Sequence, residues 1–329
     1  MEGIGVIGAG SWGTTLANLL SEKGFLVDLW VFEHELCEII REKRENTYYL
    51  PDVSLNINPY TSLEKVCKNK KFLVLVTPSH VFREVLIKAS PYIRQGVTFV
   101  IASKGIETGS LQPLNIVIKE VLPTSNCDVF CLSGPSFAKE VSRKIPTAVT
   151  LGGKNNSKIK KIQEIFSTPY FRVYTYKDLL GVELGGALKN IIAIAVGVSD
   201  GLGLGFSTRA ALITRGLAEM TRLGVKLGAK ISTFSGLAGL GDLILTCTSD
   251  LSRNRTVGKK LAEGASREEI QSGMRMIAEG IITTKSAYFL ARKHNVEMPI
   301  TEKVYQILYE NLKPEQAVLE LMDRELKEE

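Results

Sequence analysis

The residues of this chain able to move a proton are lysines rather than histidines. Its three histidines, His34, His80 and His294, stand in no carboxylate setting suited to acid–base work. Lys189 lies in Gly185-Gly186-Ala187-Leu188-Lys189-Asn190, directly before the apolar run 191–198. It and Asn190 are therefore polar residues on a helix that otherwise reads as buried. A buried ammonium is costly unless it is paired or used, so Lys189 is either a satisfied structural lysine or a working one. Lys104, in Ser103-Lys104-Gly105, follows a strand pattern and is either a surface residue or a ligand contact. Asp242 places a carboxylate in the glycine-rich Ala238-Gly239-Leu240-Gly241-Asp242. Ser252-Arg253-Asn254 offers a hydroxyl, a guanidinium and an amide before a helical pattern, which suits a phosphate; an exposed charged turn is the alternative.

A second constellation opens the chain. Gly8-Ala9-Gly10-Ser11-Trp12-Gly13 follows the apolar run Ile4-Gly5-Val6-Ile7 and precedes helical spacing from Thr14 to Leu20. Gly-x-Gly-x-x-Gly between strand and helix is the dinucleotide fingerprint: a tight turn, a close approach for pyrophosphate, and close helix–strand packing. Two further strand ends carry polar turns, Thr77-Pro78-Ser79 and Ser133-Gly134-Pro135-Ser136. In the second, Ser136 is placed to cap the following helix, to contact a ligand, or both.

The elements that must hold these residues follow from periodicity. Strand-like runs at Leu26–Val31, Phe72–Val76, Val97–Ile101, Val129–Leu132, Ala148–Leu151 and Arg172–Tyr174 alternate with helical patterns. That alternation predicts an α/β fold with a Rossmann-type, mostly parallel sheet, extended beyond the minimal nucleotide unit. From about Asp178 helical periodicity takes over. Two domains are expected, a dinucleotide-binding domain over 1–178 and an all-helical substrate and catalytic domain over 179–329, with the cofactor cleft between them.

The formal net charge of +6 is dispersed, which favours anionic small molecules and gives no basic cluster for nucleic acid. The five cysteines form no Cys-x-x-Cys pair and no metal set, and read as buried free thiols in a reducing cytoplasm. No leader is expected. The run 191–198 is too short to span a bilayer, so no membrane insertion is expected.

Taken together, the motifs resemble the bacterial NAD(P)-dependent glycerol-3-phosphate dehydrogenases nearly end to end. They are GAGSWGT at 8, PSHVF at 78, SKG at 103, SGPSFAKE at 133, GVELGGALKN at 181, GLAGLGDLILTC at 236, SRNR at 252 and AEG at 278. The resemblance implies reduction of dihydroxyacetone phosphate to glycerol 3-phosphate for phospholipid synthesis, by a homodimer using NAD or NADP and no metal. It makes Lys189 the catalytic lysine and Lys104, Gly134, Ser136, Asp242, Ser252, Arg253 and Asn254 its companions around the substrate. It puts Gly8, Gly10, Ser11, Trp12, Gly13, Phe32, Lys104, Ala138, Arg253, Ile277 and Glu279 near the cofactor.

One position departs from that pattern. Phe32 stands where many members carry His or Arg for the 2′-phosphate of NADP, and Glu33 follows, twenty residues beyond Gly13. An acidic residue at that spacing suits a free ribose 2′-hydroxyl, so NAD or dual use stands beside NADP. Catalysis at neutral pH requires a lowered Lys189 pKa. Burial and Lys104 would act that way, while Asp242 would oppose it, orienting the lysine or binding substrate hydroxyls. Two other readings fit part of the pattern: a β-hydroxyacid dehydrogenase acting on a ketone without phosphate, and a non-catalytic nucleotide-binding protein.

Overall fold

The computed structural model describes residues 3–154, 156–276, 278–326 and 328. Among them eight strands form one sheet: β1 (Ile4–Ile7), β2 (Val27–Trp30), β3 (Asn58–Tyr60), β4 (Phe72–Leu75), β5 (Thr98–Ile101), β6 (Asp128–Ser133), β7 (Thr147–Gly152) and β8 (Phe171–Tyr176). Their order is β3-β2-β1-β4-β5-β6-β7-β8. Every neighbouring pair is parallel except β6 and β7, which pair antiparallel through Leu132 and Leu151. The mostly parallel, extended sheet expected from the sequence is present. The strand it did not reveal is β3, a three-residue edge strand centred on Pro59. Proline is tolerated there because an edge strand leaves one side of its ladder unpaired.

Strand alternation sorts the core into two layers. Ile4 and Val6 of β1, Phe72 and Val74 of β4 and Val100 of β5 join one apolar cluster. Ile7, Leu73, Leu75, Phe99 and Ile101 join the cluster on the other face. Both faces are covered, as near-continuous apolar strands require. The strand order reverses between β1 and β4, whose neighbours at that point lead away in opposite directions. Loops leaving the carboxyl ends of these two strands therefore border a crevice, where open α/β sheets take ligands.

Beyond Tyr176 the chain is helical, around the helix Leu179–Gly201. Asp178 caps it, accepting from the Gly181 N–H at 3.0 Å and the Lys230 N–H at 2.8 Å. This helix is long and apolar enough to cross a bilayer by length and composition, and 94% of its apolar window is buried inside the protein. The uninterrupted run ends at 198, but the helix that contains it is longer than that run. Glycines let a second helix, Arg253–Ala262, cross it closely. A Cβ on Gly197 would stand 2.1 Å from the Arg255 carbonyl, and one on Gly258 2.1 Å from that of Ile194.

Two buried carboxyls hold helix starts in place. Glu183 accepts from the Asn115 N–H at 3.1 Å, and burial lifts its pKa to about 8. Glu219 accepts from the N–H groups of Ile300 and Thr301 at 2.6 and 3.1 Å, and burial lifts it to about 7. In the unfolded chain both ionise near 4.5, so between 4.5 and about 8 the folded state binds more protons. Stability therefore falls as pH rises through that window. Urea denaturation at pH 5 and pH 8 should show the fall, and Glu183→Gln should flatten it; an unchanged slope would remove Glu183 from the account.

Candidate functional site

The Asp242 carboxylate binds two lysines from different parts of the chain. Its Oδ2 accepts from Lys104 Nζ at 2.8 Å, and its Oδ1 from Lys189 Nζ. Lys189 Nζ also donates to Thr246 Oγ1 at 2.7 Å, and Thr246 Oγ1 donates to the Asp242 carbonyl at 2.6 Å. Asp242 is 1% exposed and Lys189 6%. Burial is the largest influence on Lys189 and lowers its pKa to about 7; Lys104 adds to the fall, and Asp242 opposes it without prevailing. Thr246 was not anticipated. The signal was its place four residues after Asp242, on the helix Asp242–Thr248 that the aspartate begins.

Close packing makes this meeting possible. A Cβ on Gly185 would lie 2.4 Å from the Ala238 carbonyl, and one on Gly186 would lie 2.5 Å from Ser133 Oγ. The bare backbone of the lysine helix thus admits both the end of β6 and the π-helical turn Leu237–Gly241 that delivers Asp242. Such turns are frequent at functional sites. Lys104 arrives from the loop after β5 and stands 3.4 Å from the Gly134 carbonyl.

The Ser136 hydroxyl donates back to the Gly134 carbonyl at 2.9 Å, closing the loop beside Lys104. Ser136 does not cap the following helix. That helix, Ala138–Ser142, begins after Phe137, so Ser136 lies one residue outside the capping position. Ser252 is a cap, but of a helix that starts earlier than its apolar pattern suggested: the helix begins at Arg253, and the Arg255 N–H donates to Ser252 Oγ at 3.3 Å. Arg255 holds this helix start through Asp200 Oδ2 at 2.6 Å. Asn254 has a structural partner at both ends of its amide. It donates to Asn190 Oδ1 at 2.9 Å and accepts from the Gly280 N–H at 3.0 Å. Arg253 is solvent-accessible yet closely surrounded; burial lowers its pKa, with the charge of Glu279 acting the other way.

The glycine turn shows three distinct environments. Gly8 has φ +120, the left-handed region that favours glycine, and a Cβ there would meet the Val76 carbonyl at 2.8 Å. A Cβ on Gly13 would stand 1.9 Å from the Gly8 carbonyl, so the helix Ser11–Glu22 presses against the strand end. Gly10 faces open space, with nothing within 4 Å of a Cβ. That opening lies at a helix start, the arrangement a pyrophosphate requires. Trp12 Nε1 is buried without a partner among the described residues, a donor that a bound group could satisfy. Sequence reasoning missed Asn46, which is fully buried and donates to the Ala9 carbonyl and Thr14 Oγ1, both at 2.8 Å. No local pattern marks it, because it reaches the turn only through the fold.

Three other expected cofactor positions have defined surroundings. The Ala138 carbonyl accepts from Thr15 Oγ1 at 3.4 Å, so this residue abuts the fingerprint helix. Glu279 begins the helix Glu279–Lys293 and reaches the turn after β4, accepting from Ser79 Oγ at 2.7 Å; burial raises its pKa to about 6. Phe32 is 78% exposed beyond β2. Glu33 accepts from the Tyr49 hydroxyl at 2.5 Å. Ile277 lies outside the described residues. Among the described residues, no three His, Cys, Asp or Glu side chains are grouped to hold a metal ion.

Residues 3–159 match the family described as NAD-dependent glycerol-3-phosphate dehydrogenase N-terminus, and residues 178–319 its C-terminus. A Syntrophobacter fumaroxidans protein named glycerol-3-phosphate dehydrogenase (NAD(P)+) is 56% identical, covering 99% of this chain and 97% of its own. A Geobacter sulfurreducens protein of the same name is 57% identical, covering 100% and 99%. The crystal structure of glycerol-3-phosphate dehydrogenase from Coxiella burnetii superposes with TM-score 0.95 at 42% identity, covering 98% of this chain and 99% of that one.

The glycine environments separate two substitutions. Gly13→Ala should cost about 1–3 kcal/mol of stability, from overpacking against Gly8. Gly10→Ala should leave the melting temperature unchanged while weakening dinucleotide binding in calorimetry. Equal effects of both on stability would contradict the assignment of the opening to a ligand.

Proposed function

The chain belongs to the NAD-dependent glycerol-3-phosphate dehydrogenase family, and from that premise we infer that it reduces dihydroxyacetone phosphate with NAD(P)H, reversibly, to sn-glycerol 3-phosphate. The observation that carries the mechanism is the buried Lys189, clamped by Asp242 and Thr246 and titrating at about 7. Near that pH both its forms are populated, as a group that gives a proton in one direction and takes it in the other requires.

Gly8, Gly10, Ser11, Trp12 and Gly13 would cradle the dinucleotide, which when bound would supply the hydride. Lys189 as ammonium donates a proton to the ketone oxygen, and as neutral amine it takes the hydroxyl proton in reverse. Asp242 has one oxygen on each lysine, which favours orientation of Lys189 over binding of substrate hydroxyls. Lys104 and Gly134 border the substrate beside it. Arg253, at the positive end of its helix, meets the phosphate and fixes the carbonyl against Lys189. Ser252 acts by capping that helix, and Asn254 by tying it to Asn190 and Gly280. This reading includes the division at residue 178, a homodimeric assembly, and a cytoplasmic enzyme feeding phospholipid synthesis. The support for a reducing compartment is the five free thiols, four of them buried.

Lys189→Met should lower turnover by about 10²–10⁴-fold while NADH binding persists; near-wild-type turnover would sink the assignment. Reduction needs the ammonium, so its kcat/KM should fall as pH rises past about 7, whereas the kcat/KM for glycerol 3-phosphate oxidation should rise. Parallel profiles in the two directions would overturn the role of Lys189. Dihydroxyacetone without phosphate should be a poor substrate, which separates this reading from a dehydrogenase of unphosphorylated ketones.

A further inference from the structure

The end of β2 carries no cation of its own for a 2′-phosphate: Trp30 is followed by Val31, the exposed Phe32, then Glu33. The helical half brings one to the same place. Arg275 lies in the loop between the helices Arg267–Ser272 and Glu279–Lys293. Its guanidinium carbon sits 4.1 Å over the ring of Tyr48. Tyr48 stands edge-on to Tyr49 with ring centroids 6.2 Å apart, and the Tyr49 hydroxyl donates to Glu33 Oε1 at 2.5 Å. Glu35 also lies close enough to Tyr48 to raise the pKa of its hydroxyl. Further along the chain Glu279 accepts from Ser79 Oγ in the turn after β4, so Arg275 and Glu279 meet the first half of the chain at two places, Tyr48 and Ser79.

Glu33 and Glu35 by themselves would repel a 2′-phosphate, while Glu33 suits a 2′-hydroxyl. A guanidinium stacked on Tyr48 offsets that repulsion and keeps donors available for phosphate oxygens. We propose that Arg275 is the specificity-determining residue for the adenosine ribose, the cation that lets this acidic pocket accept a 2′-phosphate and so use NADPH as well as NADH. The inference rests on the dinucleotide reading above. It differs from recognition by a residue on β2, because the cation comes from the helical half of the chain, whereas His34 belongs to the helix after β2.

The test compares 2′,5′-ADP with 5′-AMP, which lacks only the 2′-phosphate, by calorimetry on the full-length protein. Arg275→Ala should weaken 2′,5′-ADP about tenfold, the scale of one charge-assisted hydrogen bond, and leave 5′-AMP within about twofold. The KM for NADPH should rise in step, with kcat/KM for NADH unchanged. Equal changes for both nucleotides, or no change for either, would overturn the proposal. So would loss of the 2′-phosphate preference in His34→Gln with Arg275→Ala unaffected. Absence of NADH-driven reduction in the wild type would instead count against the dehydrogenase reading itself.

Discussion

The site depends on one buried carboxylate shared by two ammonium groups. Asp242 is almost fully enclosed and holds Lys189 and Lys104 on separate oxygens. Charges taken out of water are stabilised only by good geometry and complete hydrogen bonding, and removing one partner of such a set costs about 3–5 kcal/mol. The fold supplies that geometry from three places: the long helix for Lys189, the end of β5 for Lys104, and the π-helical turn for Asp242. The glycines at 185 and 186 are the steric condition for their convergence, since a side chain at either would hold the partners apart.

The same enclosure sets the chemistry. In water a lysine beside an aspartate would keep its proton far above neutrality. Here desolvation outweighs the aspartate, and Lys104 pushes in the same direction as burial. The result is an amine with its pKa lowered to about 7, so that near neutral pH both its protonated and neutral forms are populated. Asp242 then has two effects that oppose each other: it fixes where the amine points, and it limits how far the pKa falls. Around this centre the cleft is framed by contacts between the two halves of the chain, Ser79 with Glu279 and Tyr48 with Arg275.

Much of this was readable from local sequence. The fingerprint glycines, the alternation that built a parallel sheet, and the polar residues Lys189 and Asp242 each stand out against their neighbours. Residues defined only by tertiary contact were not readable. Asn46 reaches the glycine turn across the fold, and Thr246 matters because it faces Lys189 rather than solvent. β3 was hidden by its length and its proline. Ser136 illustrates the opposite failure: its type and neighbours suited a cap, but the helix start shifted by one residue and turned the hydroxyl inward. Asn254 stands out in the sequence as a phosphate-suited amide, but that its amide also joins three helices is visible only in the fold.

The most direct measurement is an NMR titration of the Lys189 side chain, labelled at Cε, in the wild type and in Asp242→Asn. A midpoint at about 7 is predicted for the wild type, with a lower one in the variant, because the negative charge that raises it is gone. A midpoint in the ordinary lysine range near 10.5, or one that Asp242→Asn leaves in place, would contradict the account.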